Sequence, residues 1–174
     1  MRILMISGST RRGSSNTATI RTAAVLVLPG VRASVYDGMA GLPAFNPDDD
    51  HDPLPESVAV LRNAVADADA VLLCTPEYAG TLPGSFKNLL DWLVGSVVIS
   101  DKPTAWISVA AQGRGEGAHD TLRMVLGYIQ ARIVEPACVR IPLSRNDIGD
   151  DGRIASPSQR EQIVAALSAL VAAV

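Results

Sequence analysis

The residues best suited to chemistry lie in three short loops. The first is Gly8-Ser9-Thr10-Arg11-Arg12-Gly13-Ser14-Ser15-Asn16-Thr17, between an apolar run, Ile3 to Ile6, and the helical spacing of Ile20, Ala23, Ala24 and Val27. A loop of Gly, Ser, Thr and Asn that opens a helix is an anion site. Its backbone N–H groups and hydroxyls donate, and the helix N-terminus adds partial positive charge. Arg11 supplies a full charge with forked donors that suit phosphate oxygens. The ligand is therefore expected to carry a phosphate. The loop is not a P-loop, because Ser-Asn-Thr stands where Gly-Lys-Ser/Thr is needed. With Gly8 and Gly13 as its only glycines, it also lacks the G-x-G-x-x-G of a tightly held dinucleotide.

The second loop, Thr75-Pro76-Glu77-Tyr78-Ala79-Gly80-Thr81-Leu82-Pro83-Gly84, pairs two prolines that stiffen the backbone with two glycines that free it. Such a loop can present N–H and C=O groups to the edge of a flat heterocycle, with Tyr78 against the ring. The third, Ala110-Ala111-Gln112-Gly113-Arg114-Gly115-Glu116-Gly117-Ala118, has alternating glycines that admit close approach, and Gln112 can both donate and accept. Taken singly, each also reads as an ordinary turn.

The elements between them explain why these loops should meet. Strand and helix signals alternate along the chain. Strands are predicted at Ile3–Ile6, Val31–Tyr36, Ala70–Cys74, Thr104–Ala110 and within Ile133–Ile141. Helices are marked by Val58, Leu61 and Val65; by Phe86, Leu89, Leu90, Leu93 and Val94; and by Leu122, Val125, Leu126 and Ile129. The last helix has Ser156 as N-cap, Pro157 at its first position and Gln159 to close a capping box, with Ile163, Ala166, Leu167 and Leu170 inward. Five β-α units in series imply a parallel sheet with helices on both faces. Ligands of such sheets bind beyond the carboxyl ends of the strands, where strand order reverses. The loops after strands one, three and four should converge there.

Composition sets limits. The 174 residues are 48% apolar with a net charge of −3, and mean hydropathy is +0.22, as for a single globular domain over 1–174. The basic residues form no stripe or patch for nucleic acid or anionic lipid. No segment is long enough to cross a bilayer. Cys74 and Cys138 sit in apolar runs, which fits reduced thiols in the cytoplasm. The N-terminal apolar run is too short for a signal peptide. Asp48, Asp50 and Asp52 imitate a calcium loop, but Pro53 takes the glycine position and Ala59 the glutamate position, so no metal is expected. His51 and His119 are expected to be solvated or locally bonded.

With these residues stated, the chain resembles the NADPH-dependent FMN reductases of flavodoxin-like fold, a family that includes quinone reductases and azoreductases. The resemblance covers nearly the whole chain. It rests on Gly8-Ser9-Thr10-Arg11 with Ser14 and Asn16, on Leu42-Pro43 through Asn46-Pro47-Asp48, and on Ala68-Asp69-Ala70. It rests above all on Thr75-Pro76-Glu77-Tyr78 with Gly80, followed by Pro83-Gly84-Ser85-Phe86-Lys87-Asn88-Leu89-Leu90-Asp91-Trp92. It implies a three-layer sandwich with strand order 2-1-3-4-5. It implies FMN as cofactor, with phosphate ligands Ser9, Arg11, Ser14, Ser15, Asn16 and Thr17. Pro76, Glu77, Tyr78, Ala79 and Gly80 would form one wall along the ribityl chain and ring, and Ser108, Gln112 and Gly113 the opposite side. Ala79 stands where the family usually has Asn. NADPH or NADH would supply hydride, a small molecule would take the electrons, and no side chain need be catalytic. Arg114 could meet the nicotinamide's phosphates. The family is commonly dimeric or tetrameric, with the helix from Lys87 to Trp92 near the contact, although Trp92 suits a monomer core equally. A flavodoxin-like electron carrier and a flavin-free interaction module remain as alternatives.

Overall fold

Alternating apolar residues on parallel strands build two cores, one on each side of a sheet. The computed structural model describes residues 1–174. Its strands are β1 (Arg2–Ser7), β2 (Arg32–Tyr36), β3 (Ala70–Cys74), β4 (Pro103–Ser108), β5 (Arg132–Ile133) and β6 (Val139–Arg140). Its helices are α1 (Ser15–Val25), α2 (Glu56–Ala66), α3 (Gly84–Asp91), α4 (Glu116–Tyr128) and α5 (Pro157–Val171). Leu4, Ile6, Val71, Leu73 and Trp106 face α2, α3 and α4. Their neighbours Ile3, Met5, Ala70, Leu72, Ala105 and Ile107 face α1 and α5. Both faces are covered, so β3 reads as one unbroken buried run.

All strand pairs are parallel, in the order β2-β1-β3-β4-β5, as expected. The fifth strand differs in one respect. It is cut in two, and both pieces pair with β4: Thr104 with Ile133, then Ser108 with Arg140. A single 3-10 turn at Glu135–Ala137 separates them. Pro136, at its start, has no N–H for a ladder, and an edge position tolerates the break. The interruption matters because it brings Arg140 beside the end of β4.

Two further expectations are corrected. Val94 is 59% exposed. The chain tightens after α3 into i→i−3 bonds, Leu93 N to Leu90 O at 3.1 Å and Val94 N to Asp91 O at 3.0 Å, and this turns Val94 off the inner face. At α5, Ser156 and Pro157 stand as expected, but no capping box forms. Gln159 Nε2 donates instead to Pro142 O at 3.0 Å, tying the helix to the chain that leaves β6.

The long connection from 37 to 55 is pinned to α3. Asn88 Nδ2 and Trp92 Nε1 both donate to Pro43 O, at 2.8 and 2.9 Å, and Asn88 Oδ1 accepts from Phe45 N at 2.8 Å. Phe45 meets the Trp92 ring edge-on, with centroids 5.0 Å apart. Trp92 is 0% exposed, so it belongs to the core of its own chain. The Asp50 carboxylate accepts from Arg62 Nη2 at 2.6 Å.

Candidate functional site

The first loop leaves the sheet where Gly8 N donates to Cys74 O at 2.9 Å, which joins the ends of β1 and β3. Every backbone N–H from Arg12 through Thr17 lacks an acceptor within the chain; the first ladder bond is Ala18 N to Ser14 O at 2.9 Å. Ser14, the N-cap of α1, makes no side-chain cap bond. Arg11 is exposed, and its Nη2 donates only to Gly13 O at 3.3 Å. The loop is thus a run of free donors at the positive end of a helix. Ser7 Oγ and Thr17 Oγ1 bond at 2.9 Å and hold the first turn of α1 against β1. Asn16 is buried, and its Oδ1 accepts from the Cys74 thiol at 3.3 Å. Its amide nitrogen is therefore left to donate elsewhere. Burial drives the Cys74 thiol far above its usual range, which makes it a neutral donor and a poor nucleophile.

The second loop is a rigid shelf. Tyr78 and Thr81 exchange both backbone bonds, at 3.0 and 3.1 Å, and the two residues between them have positive φ: Ala79 at 51° and Gly80 at 76°. That is the turn in which Asn-Gly is favoured. An Asn at position 79, as the family resemblance implies, would therefore have a backbone reason as well as any contact it makes. Ala79→Asn is expected to stabilise the protein by about 0.5–1 kcal/mol, because Ala is strained in the left-handed region and this site is exposed. A urea midpoint below that of the parent would contradict this.

Glu77 does more than line a wall. Its Oε2 accepts from Ala118 N at 3.1 Å. The N-cap of α4 is Gly115, which has no side chain to cap with, so the neighbouring loop supplies the missing acceptor. Thr81 Oγ1 and Thr121 Oγ1 bond at 2.9 Å in the same seam.

The third loop is held by a residue that sequence reasoning missed. Arg140 Nη1 donates to Ala111 O at 3.0 Å and to Arg114 O at 2.7 Å. No motif marks Arg140, and only the break in the edge strand brings it there. Ser108 is 3% exposed and lies beneath Gly115, its Oγ unpartnered. His119 is half-buried, and its Nε2 makes no hydrogen bond. Its ring lies parallel to Trp106, with centroids 6.1 Å apart. Burial, then the charge of Arg140, lowers its pKa, so the imidazole is neutral at pH 7.

These loops bound a cleft of 240 Å³ whose walls include Asn16, Thr75, Pro76, Glu77, Ala110 and Arg114. Tyr78, Ala79 and Gly80 form an exposed rim. Gln112 and Gly113 sit at the exposed tip of the third loop, outside the wall of the cleft. A second cleft, of 370 Å³, lies on the other side of the first loop and touches Ser9, Arg11 and Thr17. No group of three His, Cys, Asp or Glu is placed to hold a metal.

A doubly wound sheet with a free anion cradle after β1, and two backbone-rich loops facing it across a cleft, defines a nucleotide-binding α/β protein of flavodoxin-like form. The donor set fits FMN: N–H groups and Arg11 for a monophosphate, and a stiff loop edge for a ring. The profile of the NADPH-dependent FMN reductase family matches residues 1–144, and the chain belongs to that family, whose cofactor is FMN and whose co-substrate is NAD(P)H. It is 33% identical over 173 residues to an NAD(P)H-dependent FMN reductase of Pseudomonas aeruginosa, covering 98% of this chain and 93% of the relative. A 2-hydroxy-1,4-benzoquinone reductase of Burkholderia is 31% identical, with 94% and 90% covered. The solved structure of FerB, a flavoenzyme NAD(P)H:(acceptor) oxidoreductase of Paracoccus denitrificans, superimposes with a TM-score of 0.84 at 25% identity, covering 98% of this chain and 95% of that one. The protein is an oxidoreductase.

Proposed function

We propose that this protein transfers reducing equivalents from NAD(P)H to a small acceptor (a quinone, free flavin, azo compound or metal oxyanion) with both substrates using one open cleft in turn. The observation that carries this reading is the run of unpaired N–H groups from Arg12 to Thr17, set beside the loops after β3 and β4. When bound, FMN supplies the hydride-accepting and electron-donating chemistry. The chain supplies position and charge. Ser9, Ser14, Ser15, Asn16 and Thr17 hold the phosphate with their N–H and hydroxyl groups, and Arg11 neutralises it. Pro76 and Glu77, braced through Ala118, keep the ring-side wall from moving. Arg140 sets the third loop opposite. No side chain acts as nucleophile or general acid, in keeping with the half-buried His119, whose pKa is lowered, and the buried Cys74, whose thiol is pushed up.

The use of one cleft by two substrates predicts ping-pong kinetics. Anaerobic stopped-flow reduction by each nicotinamide, followed by mixing with an acceptor panel, tests this. Reduction without acceptor and reoxidation by it afterwards are expected, with parallel double-reciprocal lines at steady state; intersecting steady-state lines would exclude the shared cleft. Arg11→Ala should weaken FMN binding by about 10- to 100-fold, the loss of one charge-assisted contact worth about 1.5–3 kcal/mol. An unchanged affinity in a fluorescence titration would remove Arg11 from the phosphate site.

We read the protein as a homodimer or homotetramer acting in the cytoplasm. Support for self-association comes from an exposed apolar surface: Val94, Val97 at 82% exposed and Tyr128 at 84% border one depression beside α4. Light scattering of Val97→Glu should show dissociation.

A further inference from the structure

The larger of the two clefts extends past the proposed phosphate residues Ser9, Arg11 and Thr17 to Arg21 and the end of β2. It measures 370 Å³ and lies between the first loop and the end of β2, a volume in the range of small-molecule sites, which begin near about 300 Å³. Its walls divide by chemistry. Arg11 and Arg21 bring positive charge, Asp37 brings a carboxylate immediately after β2, and Met39 and Val35 bring apolar surface. Arg21 and Asp37 are both exposed, and neither makes a hydrogen bond or ion pair within the chain. Tyr36 also lines the cleft. It is 8% exposed, and its hydroxyl has no partner. Thr17 lines this cleft, and Asn16, its neighbour in the first turn of α1, lines the smaller one. The two clefts therefore share a thin wall.

We propose that this cleft is an adenylate subsite, binding the adenosine ribose-phosphate end of a dinucleotide whose other end reaches the smaller cleft. The placement argues for it. In dinucleotide-binding α/β sheets an acidic residue past the first βα unit accepts from the ribose hydroxyls, and a nearby Arg accommodates a 2′-phosphate. Asp37 is a carboxylate at the end of the strand next to β1, with Arg21 across the same cleft. A ribose diol satisfies an acceptor that has no donor in the chain. The apolar floor at Met39 suits a base, and Arg21 suits a phosphate. The absence of a G-x-G-x-x-G turn fits a co-substrate that arrives and leaves. The assignment rests on the reductase reading, and it adds which part of the chain recognises the co-substrate. Two ligands carry adenylate: the nicotinamide dinucleotide and FAD.

The test compares NADH, NADPH and 1-benzyl-1,4-dihydronicotinamide, which lacks adenylate, on the FMN-loaded protein with one quinone. Asp37→Ala should raise KM for NADH about tenfold, and Arg21→Ala should raise KM for NADPH about tenfold, with kcat unchanged. Neither should alter turnover of the benzyl compound. Calorimetry supplies a readout independent of activity: adenosine 2′,5′-bisphosphate should bind the parent and bind Arg21→Ala about tenfold more weakly. If the variants lose FAD affinity relative to FMN while NAD(P)H constants stand, the adenylate is that of FAD and the subsite is upheld. If neither NAD(P)H, FAD nor the bisphosphate responds, or if the benzyl compound suffers equally, the subsite is overturned. If the parent binds the bisphosphate yet oxidises neither NADH, NADPH nor the benzyl compound, the reductase reading falls and the subsite stands. Both side chains are exposed, so the variants should fold as the parent does.

Discussion

Gly117→Ala should lower stability by about 2–3 kcal/mol, although Ala is the better helix former by about 1 kcal/mol. Gly117 lies in the first turn of α4, where that helix meets the second loop. A Cβ there would overlap Gly80 O, lie 2.9 Å from Gly80 C and lie 3.2 Å from Glu77 Oε2. The obstacle is backbone in a turn whose dihedrals are already set, so no rotamer change relieves it. Either α4 withdraws, which breaks the bond from Ala118 N to Glu77, or the shelf at Tyr78–Thr81 tips into the cleft. FMN affinity should therefore fall along with stability. Gly127→Ala is the control. It lies in the last turn of the same helix with nothing within 4 Å of the added Cβ, and it should stabilise by up to about 1 kcal/mol. Urea unfolding of the two apoproteins, with FMN titrations, checks the pair. Equal stabilisation by both would show that the seam between α4 and the second loop is not tight.

Asp50→Ala should cost about 3–5 kcal/mol, far more than an exposed ion pair. Asp50 and Arg62 side chains are each 11% exposed and 2.6 Å apart. Arg62 Nε also donates to Trp92 O at 2.9 Å. Removing the carboxylate leaves a guanidinium held in place with half its compensation gone. It also frees the connection from 37 to 55, which carries Asp37 and Met39 into the larger cleft. A double variant, Asp50→Ala with Arg62→Met, should recover at least half of the loss, because the stranded charge is what costs most. Denaturant midpoints for the two single variants and the double variant measure this. A single-variant loss under about 1 kcal/mol would mean that water reaches the pair.

Periodicity alone located every layer of this fold. Val58, Leu61 and Val65 are wholly buried on α2, and Ala70 to Cys74 form the central strand. Burial patterns repeat with the period of the element, so a linear reading recovers them. The free cradle after β1 was legible for the same reason, since a helix start is a local event. The contacts that shape the clefts were not. Glu77 caps a helix whose start lies 39 residues further on, at Glu116. Arg140 reaches the third loop only because Pro136 breaks the edge strand. Arg62 finds Asp50 and Trp92 across the sheet's outer layer. Such pairings depend on which ends the folded chain brings together, and spacing along the chain carries no record of them. The sequence by itself determined the sheet, its helices and a turn of free N–H donors after β1, because those follow from local pattern. Tertiary structure alone decided which polar side chains are consumed as braces and which, like Asp37 and Arg21, are left free, because a charge's partner is set by distance in space.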